Sequence, residues 1–255
     1  MQEPYSLDGR SAVVTAAAHG IGRATALAFA AAGARVVCSD IQADGAEATA
    51  AAIREAGGVA IAEPGDVAEL ADMERLAARA AEAHGGIDVL LFGAALQDGA
   101  ADVLALEPEI WNQVLRVNLT GAFHATRACL PAMIEGGGGS IILIASQLGS
   151  VGVPGRAAYC ATKGALIQLA KVMAADHAHQ KVRVNTLSPG AVETNRLLRR
   201  FPDMEAARSD MGPKHLLGRL GLPDEIARAA VFLASDAASF MTGADMLVDG
   251  GYNAV

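Results

Sequence analysis

Cysteine is scarce: Cys38, Cys129 and Cys160 are the three in 255 residues, odd in number, widely spaced and set in apolar surroundings. They read as reduced packing residues, which excludes a disulfide scaffold or a cysteine-based metal site and fits a reducing compartment. Aromatic residues make up 4% of the chain, too few for an aromatic-rich binding module. The 20 basic residues are outnumbered by 28 acidic ones for a net charge of −8, and no basic run reaches the length of a nucleic-acid footprint. No segment approaches the ~18 uninterrupted apolar residues of a membrane span. The opening Met1-Gln2-Glu3-Pro4-Tyr5 lacks the basic and apolar regions of a leader. The expectation is a cytoplasmic protein with no nucleic-acid partner, no membrane partner and no metal.

Apolar residues, by contrast, are plentiful at 52%, with much alanine, which favours helices packed closely on a sheet. Apolar runs at residues 11–15, 34–40, 59–62, 87–93, 140–146, 182–187 and 246–248 are continuous rather than alternating. Such strands are buried on both faces, the mark of a parallel sheet covered by helices, and their crossovers must be right-handed. Helical spacing fills 22–32, 45–56, 68–84, 108–135, 158–178 and 223–235. Gly33, Gly57-Gly58 and Gly85-Gly86 stand where helices should stop, and Pro223-Asp224-Glu225 where one should start. With no repeat and no linker longer than the four glycines 136–139, residues 1–255 read as one doubly wound α/β domain of Rossmann type.

Thr15-Ala16-Ala17-Ala18-His19-Gly20-Ile21-Gly22 follows the first strand and opens a helix. Glycines in such a turn let backbone N–H groups approach a pyrophosphate at the positive end of the helix. Asp40 ends the second strand eighteen residues after Gly22, close to the ~20 expected of an acid that accepts hydrogen bonds from an adenosine ribose. Its charge would repel a 2′-phosphate, so NAD is favoured over NADP. Tyr159 and Lys163 are four residues apart, which on a helix stacks phenol and ammonium one turn apart on one face. The ammonium would draw the phenol's pKa down from ~10, making it a general base or acid near working pH.

Together these residues resemble the short-chain dehydrogenase/reductase family. Its phosphate loop reads Thr-Gly-x-x-x-Gly-x-Gly; Gly20 and Gly22 match, while Ala16 replaces the first glycine and fits only with a negative φ. The resemblance implies cofactor contacts from Ala18, His19, Gly20, Ile21 and Gly22, from Asp40 and Ile41, and from the Asp66-Val67 pair on the adenine. It adds Ala94, kept from a strand end that reads Phe92-Gly93-Ala94-Ala95 where the family has Asn-Asn-Ala-Gly. Pro189, Gly190, Val192 and Thr194, from a Pro-Gly-x-x-x-Thr segment, would meet the nicotinamide, and Thr242-Gly243 with Asp249-Gly250-Gly251 match the family's last strand. Ser146, thirteen residues before Tyr159, would bind the substrate oxygen. Asn118 would support a proton relay to Lys163, so that the catalytic set is Asn118, Ser146, Tyr159 and Lys163, the last two also touching cofactor. The implied strand order is 3-2-1-4-5-6-7, and the implied assembly a homotetramer, or a homodimer, through helices 108–135 and 158–178 and the last strand.

A lid is implied at about residues 195–220, with Arg196, Arg199, Arg200, Arg208, Lys214 and Arg219 against Asp203, Glu205 and Asp210. Arginine forks suit a carboxylate or an oxygen-rich substrate. Gln97, Gln147 and Arg156, near the tetrad, are candidate substrate contacts alongside Ser146 and Tyr159. The expected activity is therefore NAD-dependent interconversion of a secondary alcohol and a ketone on a small polar molecule: a polyol, sugar or hydroxy acid. The alternatives are an NADPH-dependent 3-oxoacyl-thioester reductase and a non-catalytic nucleotide sensor.

Overall fold

A computed structural model describes residues 4–255; Met1, Gln2 and Glu3, part of the opening segment read for a leader, lie outside the described residues. Seven strands, β1 (Ser11–Thr15), β2 (Arg35–Ser39), β3 (Val59–Ala62), β4 (Val89–Phe92), β5 (Gly139–Ile144), β6 (Val182–Pro189) and β7 (Asp245–Val248), form one sheet in the order β3-β2-β1-β4-β5-β6-β7. Every pairing is parallel. The central apolar runs are strands that face two layers: Ala12 and Val14 enter the core on one side of β1, and Val13 the core on the other; the edge strands β3 and β7 are partly exposed.

Helices α1 (Gly20–Ala31) and α2 (Ala43–Glu55) cover the first face, joined there by α8 (Pro223–Ala234). On the second face lie α3 (Leu70–His84), α5 (Gly121–Glu135) and α6 (Ala157–His177). The expected helix at 108–135 is not one regular helix. It divides into α4 (Pro108–Leu115), a wide π turn at Arg116–Thr120, and α5. The seventh helix, α7 (Met204–Met211), lies inside the expected lid and is absent from the sequence reading. It is two turns long, too short for its periodicity to stand out. β5 stops at Ile144, so Ser146 lies beyond the strand and caps a 3₁₀ turn, Gln147–Gly149. Among the described residues, no helix is long and apolar enough to cross a membrane, and no cluster of His, Cys, Asp and Glu is placed to hold a metal.

Candidate active site

The carboxyl ends of the parallel strands meet on one edge of the sheet, and the expected site residues lie there or in the loops that follow. After β1 the chain turns sharply into α1. Ala16 takes φ +56°, against the expectation of a negative value. The surroundings impose it: Ala17 donates to the Ser39 carbonyl at 2.9 Å, and a Cβ on Gly22 would lie 2.0 Å from the Ala16 carbonyl oxygen. Left-handed backbone costs an alanine roughly 1–2 kcal/mol, which the packed turn must offset. His19 is extended and makes no side-chain cap, and no acid occupies the first turn of α1. The positive end of that helix, with Gly20, Ile21 and Gly22 in its first turn, is thus suited to a pyrophosphate. A Cβ on Gly20 would come within 3.1 Å of Thr194, so the phosphate loop abuts the segment expected at the nicotinamide.

Asp40 follows β2, accepting from the Ala18 amide at 3.1 Å and from the Gln42 amide at 2.9 Å, while Ile41 beside it is exposed. Those two N–H groups pin the carboxylate, and its remaining lone pairs can accept from ribose hydroxyls. Beyond β3, Asp66 accepts from the Ala68 amide at 2.9 Å, and Val67 is buried with its carbonyl accepting from His124 at 3.3 Å. Past β4, the altered strand end next to Ala94 is held by other means. Thr15 Oγ1 accepts from the Gly93 amide at 3.0 Å, and the Asn118 side chain holds both backbone groups of Leu96, at 2.7 and 3.0 Å. These groups together fit an extended dinucleotide.

Tyr159 sits in the first turn of α6 and is 6% exposed; Lys163, one turn on, is 1% exposed. The Lys163 Nζ donates to the Ile144 carbonyl at 2.6 Å and lies 5.6 Å from the centre of the Tyr159 ring. Burial pushes the ammonium's pKa down to about 8, with the tyrosine opposing and Arg196 adding to the fall. For Tyr159, burial pushes the phenol up, but the charges of Arg196 and Lys163 and the polar groups of Ser146 and Arg196 outweigh it, and the net shift is downward. Ser146 accepts from the Leu148 amide at 3.1 Å through Oγ, so its O–H is the group that faces the Tyr159 oxygen. Asn118 is fully buried in the π turn, and its amide reaches Thr162 Oγ1 on α6 at 3.1 Å. Asn118, Ser146, Tyr159 and Lys163 are thus carried by the π turn, the 3₁₀ turn after β5 and α6.

The sequence reading did not single out Asp98. Its buried carboxylate accepts from the amides of Ala158 and Tyr159 at 2.8 and 3.3 Å, tethering the first turn of α6. The Arg156 guanidinium is directed at this same residue, donating to the Asp98 carbonyl and lying 3.9 Å from its carboxylate. Gln147 is buried with its Oε1 unpartnered. Pro189 ends β6; Gly190 donates to the Val248 carbonyl at 3.0 Å, and Val192 pairs with Gly221 at the stem of the lid. Within the lid Arg208 is bidentate to Glu193 at 2.7 and 2.6 Å, Arg219 is bidentate to Glu225 at 2.8 Å, and Lys214 meets Asp210 at 2.9 Å. Half of the lid's basic residues are thereby neutralised. Arg196 instead folds over the Tyr159 ring, its Cζ 5.0 Å from the centre. The composition of the lid marked Arg196 as one cation among six, and nothing in its spacing distinguishes it.

Residues 15–253 match the family described as enoyl-(acyl carrier protein) reductase. D-threitol dehydrogenase of Mycolicibacterium smegmatis is 42% identical over 250 residues, covering 97% of this chain and 94% of that protein. A gluconate 5-dehydrogenase from Burkholderia cenocepacia, solved with NADP and tartrate, superposes with a TM-score of 0.93 at 37% identity over 100% and 99% of the two chains. A 7α-hydroxysteroid dehydrogenase solved with NADH and 7-oxo glycochenodeoxycholic acid gives 0.92 at 33% identity over 97% and 96%. The chain thus belongs to the short-chain dehydrogenase/reductase family of oxidoreductases.

Proposed function

We propose that this protein is an NAD(H)-dependent oxidoreductase that interconverts a secondary alcohol and a ketone on a small polar substrate. The observation that carries the reading is a buried phenol whose pKa is drawn below its ordinary value, beside the Ser146 hydroxyl. In alcohol oxidation the Tyr159 oxygen takes the carbinol proton, and in ketone reduction it returns one. Ser146 donates to the substrate oxygen and stabilises its alkoxide character, while Lys163 holds charge opposite the phenolate. Asn118 keeps α6 and the loop after β4 in register, and provides a route for protons toward Lys163. Thr194 and Pro189 would hold a bound nicotinamide, which would supply the hydride acceptor or donor. Asp40, pinned by two backbone amides, supports NAD over NADP because a 2′-phosphate would meet a fixed negative charge.

The D-threitol and gluconate dehydrogenases among the relatives support a polyol, sugar or hydroxy acid as substrate. An NADPH-dependent 3-oxoacyl-thioester reductase is the second reading; the description of the matching family shares its acyl-carrier thioester, though it names reduction of an enoyl group and not of a ketone. Spectrophotometric assay of NAD and NADP reduction across polyols, sugar acids and hydroxy acids tests the first reading. Activity confined to NADPH and a 3-oxoacyl thioester would replace it with the second. A homotetramer, or a homodimer, is supported by exposed Ile110, Trp111 and Phe123 on α4 and α5, Val172 on α6 and Leu247 on the edge strand β7. Size-exclusion chromatography with light scattering measures it.

A further inference from the structure

Arg196 differs from the lid's paired cations. Arg208, Lys214 and Arg219 each meet a carboxylate at the surface, whereas Arg196 makes no ion pair among the described residues and is turned inward over the Tyr159 ring. Its Nη2 is buried with no hydrogen-bond partner. A charged donor kept from water without an acceptor is unfavourable, and such an atom is satisfied when a ligand brings one. The other cation at the site, Lys163, is committed to the Ile144 carbonyl, and Arg156, the nearby candidate for an acidic group, is committed to Asp98. Arg196 reaches the Tyr159 hydroxyl, yet its Nη2 is left without an acceptor, and it lies two residues past Thr194, which packs against Gly20.

We infer that Arg196 is the receptor for a substrate carboxylate, making the natural substrate a hydroxy acid whose acid group lies within two bonds of the carbinol carbon. The inference rests on the secondary-alcohol reading and narrows it. With the carbinol oxygen held by Tyr159 and Ser146, the guanidinium 5.0 Å from the centre of the same ring is the cation placed to meet a carboxylate near the carbinol carbon. A fork binds both carboxylate oxygens in one plane, which a lysine cannot reproduce. The arginine is then neutralised only when an acid is bound, so selectivity over neutral alcohols is built into the apposition of Arg196 and Tyr159.

The test uses hydroxy acids and their primary amides as matched pairs, lactate with lactamide first, together with calorimetric titration of oxamate and oxamide into the NADH-loaded protein. In Arg196→Met, kcat/KM for the acid falls at least ~10-fold relative to its amide, and the Kd for oxamate rises at least ~10-fold while that for oxamide stays within threefold. Arg196→Lys recovers part of the oxamate affinity. Equal losses on acid and amide, or an unchanged oxamate Kd, would overturn the assignment. Should the wild-type protein oxidise no secondary alcohol, the catalytic reading fails on that result alone, and the oxamate titrations still decide the role of Arg196.

Discussion

Two sets of basic residues, one on the surface of the lid and one around Tyr159, behave oppositely. On the lid, Arg208 and Arg219 form bidentate pairs with Glu193 and Glu225 at 2.6–2.8 Å, exposed to water. Around Tyr159, Lys163 of α6 and Arg196 from the start of the lid flank a buried phenol with no carboxylate paired to either among the described residues. Water screens the first set, so its pairs act as local fasteners. The second set acts at low effective dielectric, where an unneutralised charge moves a pKa and stabilises an anion. Position relative to solvent, more than the number of charges, separates fastening from chemistry.

The contrast breaks most sharply at the phenol. Tyr159→Phe keeps the ring and deletes the proton carrier, so kcat falls at least ~10²-fold in a steady-state assay with NADH formation as readout. Lys163→Met comes next. The loss is ~10- to 10²-fold near neutral pH, and it shrinks as pH rises, because without the ammonium the phenol ionises only at higher pH. In the wild type, the oxidation rate increases with pH through an apparent value below the phenol's ordinary 10.0, a property of the coupled tyrosine and lysine together. A pH profile of kcat/KM for both proteins checks the direction. Asp40→Ala erodes the preference for NAD over NADP by ~10-fold, read as the ratio of kcat/KM values. On the lid, Arg208→Ala changes Tm by no more than ~2 °C in a thermal melt, as an exposed pair should.

The fold was legible because parallel strands buried on two sides must be apolar throughout, as 11–15 is in β1, and the partly exposed edge strand β3 still coincides with the apolar run 59–62. The tyrosine and lysine were legible for a similar reason, since a four-residue interval fixes their relation wherever α6 packs. Arg196 was not, because its place over Tyr159 follows from how an aperiodic segment folds back across the sheet, a long-range outcome with no local signature. Asp98 was missed likewise: its partners, the amides of Ala158 and Tyr159, belong to a helix start some sixty residues downstream. The sign of φ at Ala16 was misjudged because steric preference was weighed without the turn's neighbours. Ala16→Gly should relieve that strain at some cost in chain entropy, for a net gain of about 0.5 kcal/mol in chemical denaturation, the smallest of these effects.

The π turn at Arg116–Thr120 sets the phase between two helical segments. One surplus residue there rotates everything downstream by about 100° relative to an unbroken α-helix. That rotation is compatible with α4 burying little but Val114 while α5 buries Ala122, Ala125, Cys129 and Met133 against the sheet. It also turns Asn118 inward, toward Leu96 and Thr162. Deleting a single residue from the turn would tidy the helix and dislocate the core and the Asn118 contacts to Leu96 and Thr162 together, so a local irregularity serves as the gear that keeps two remote faces in step.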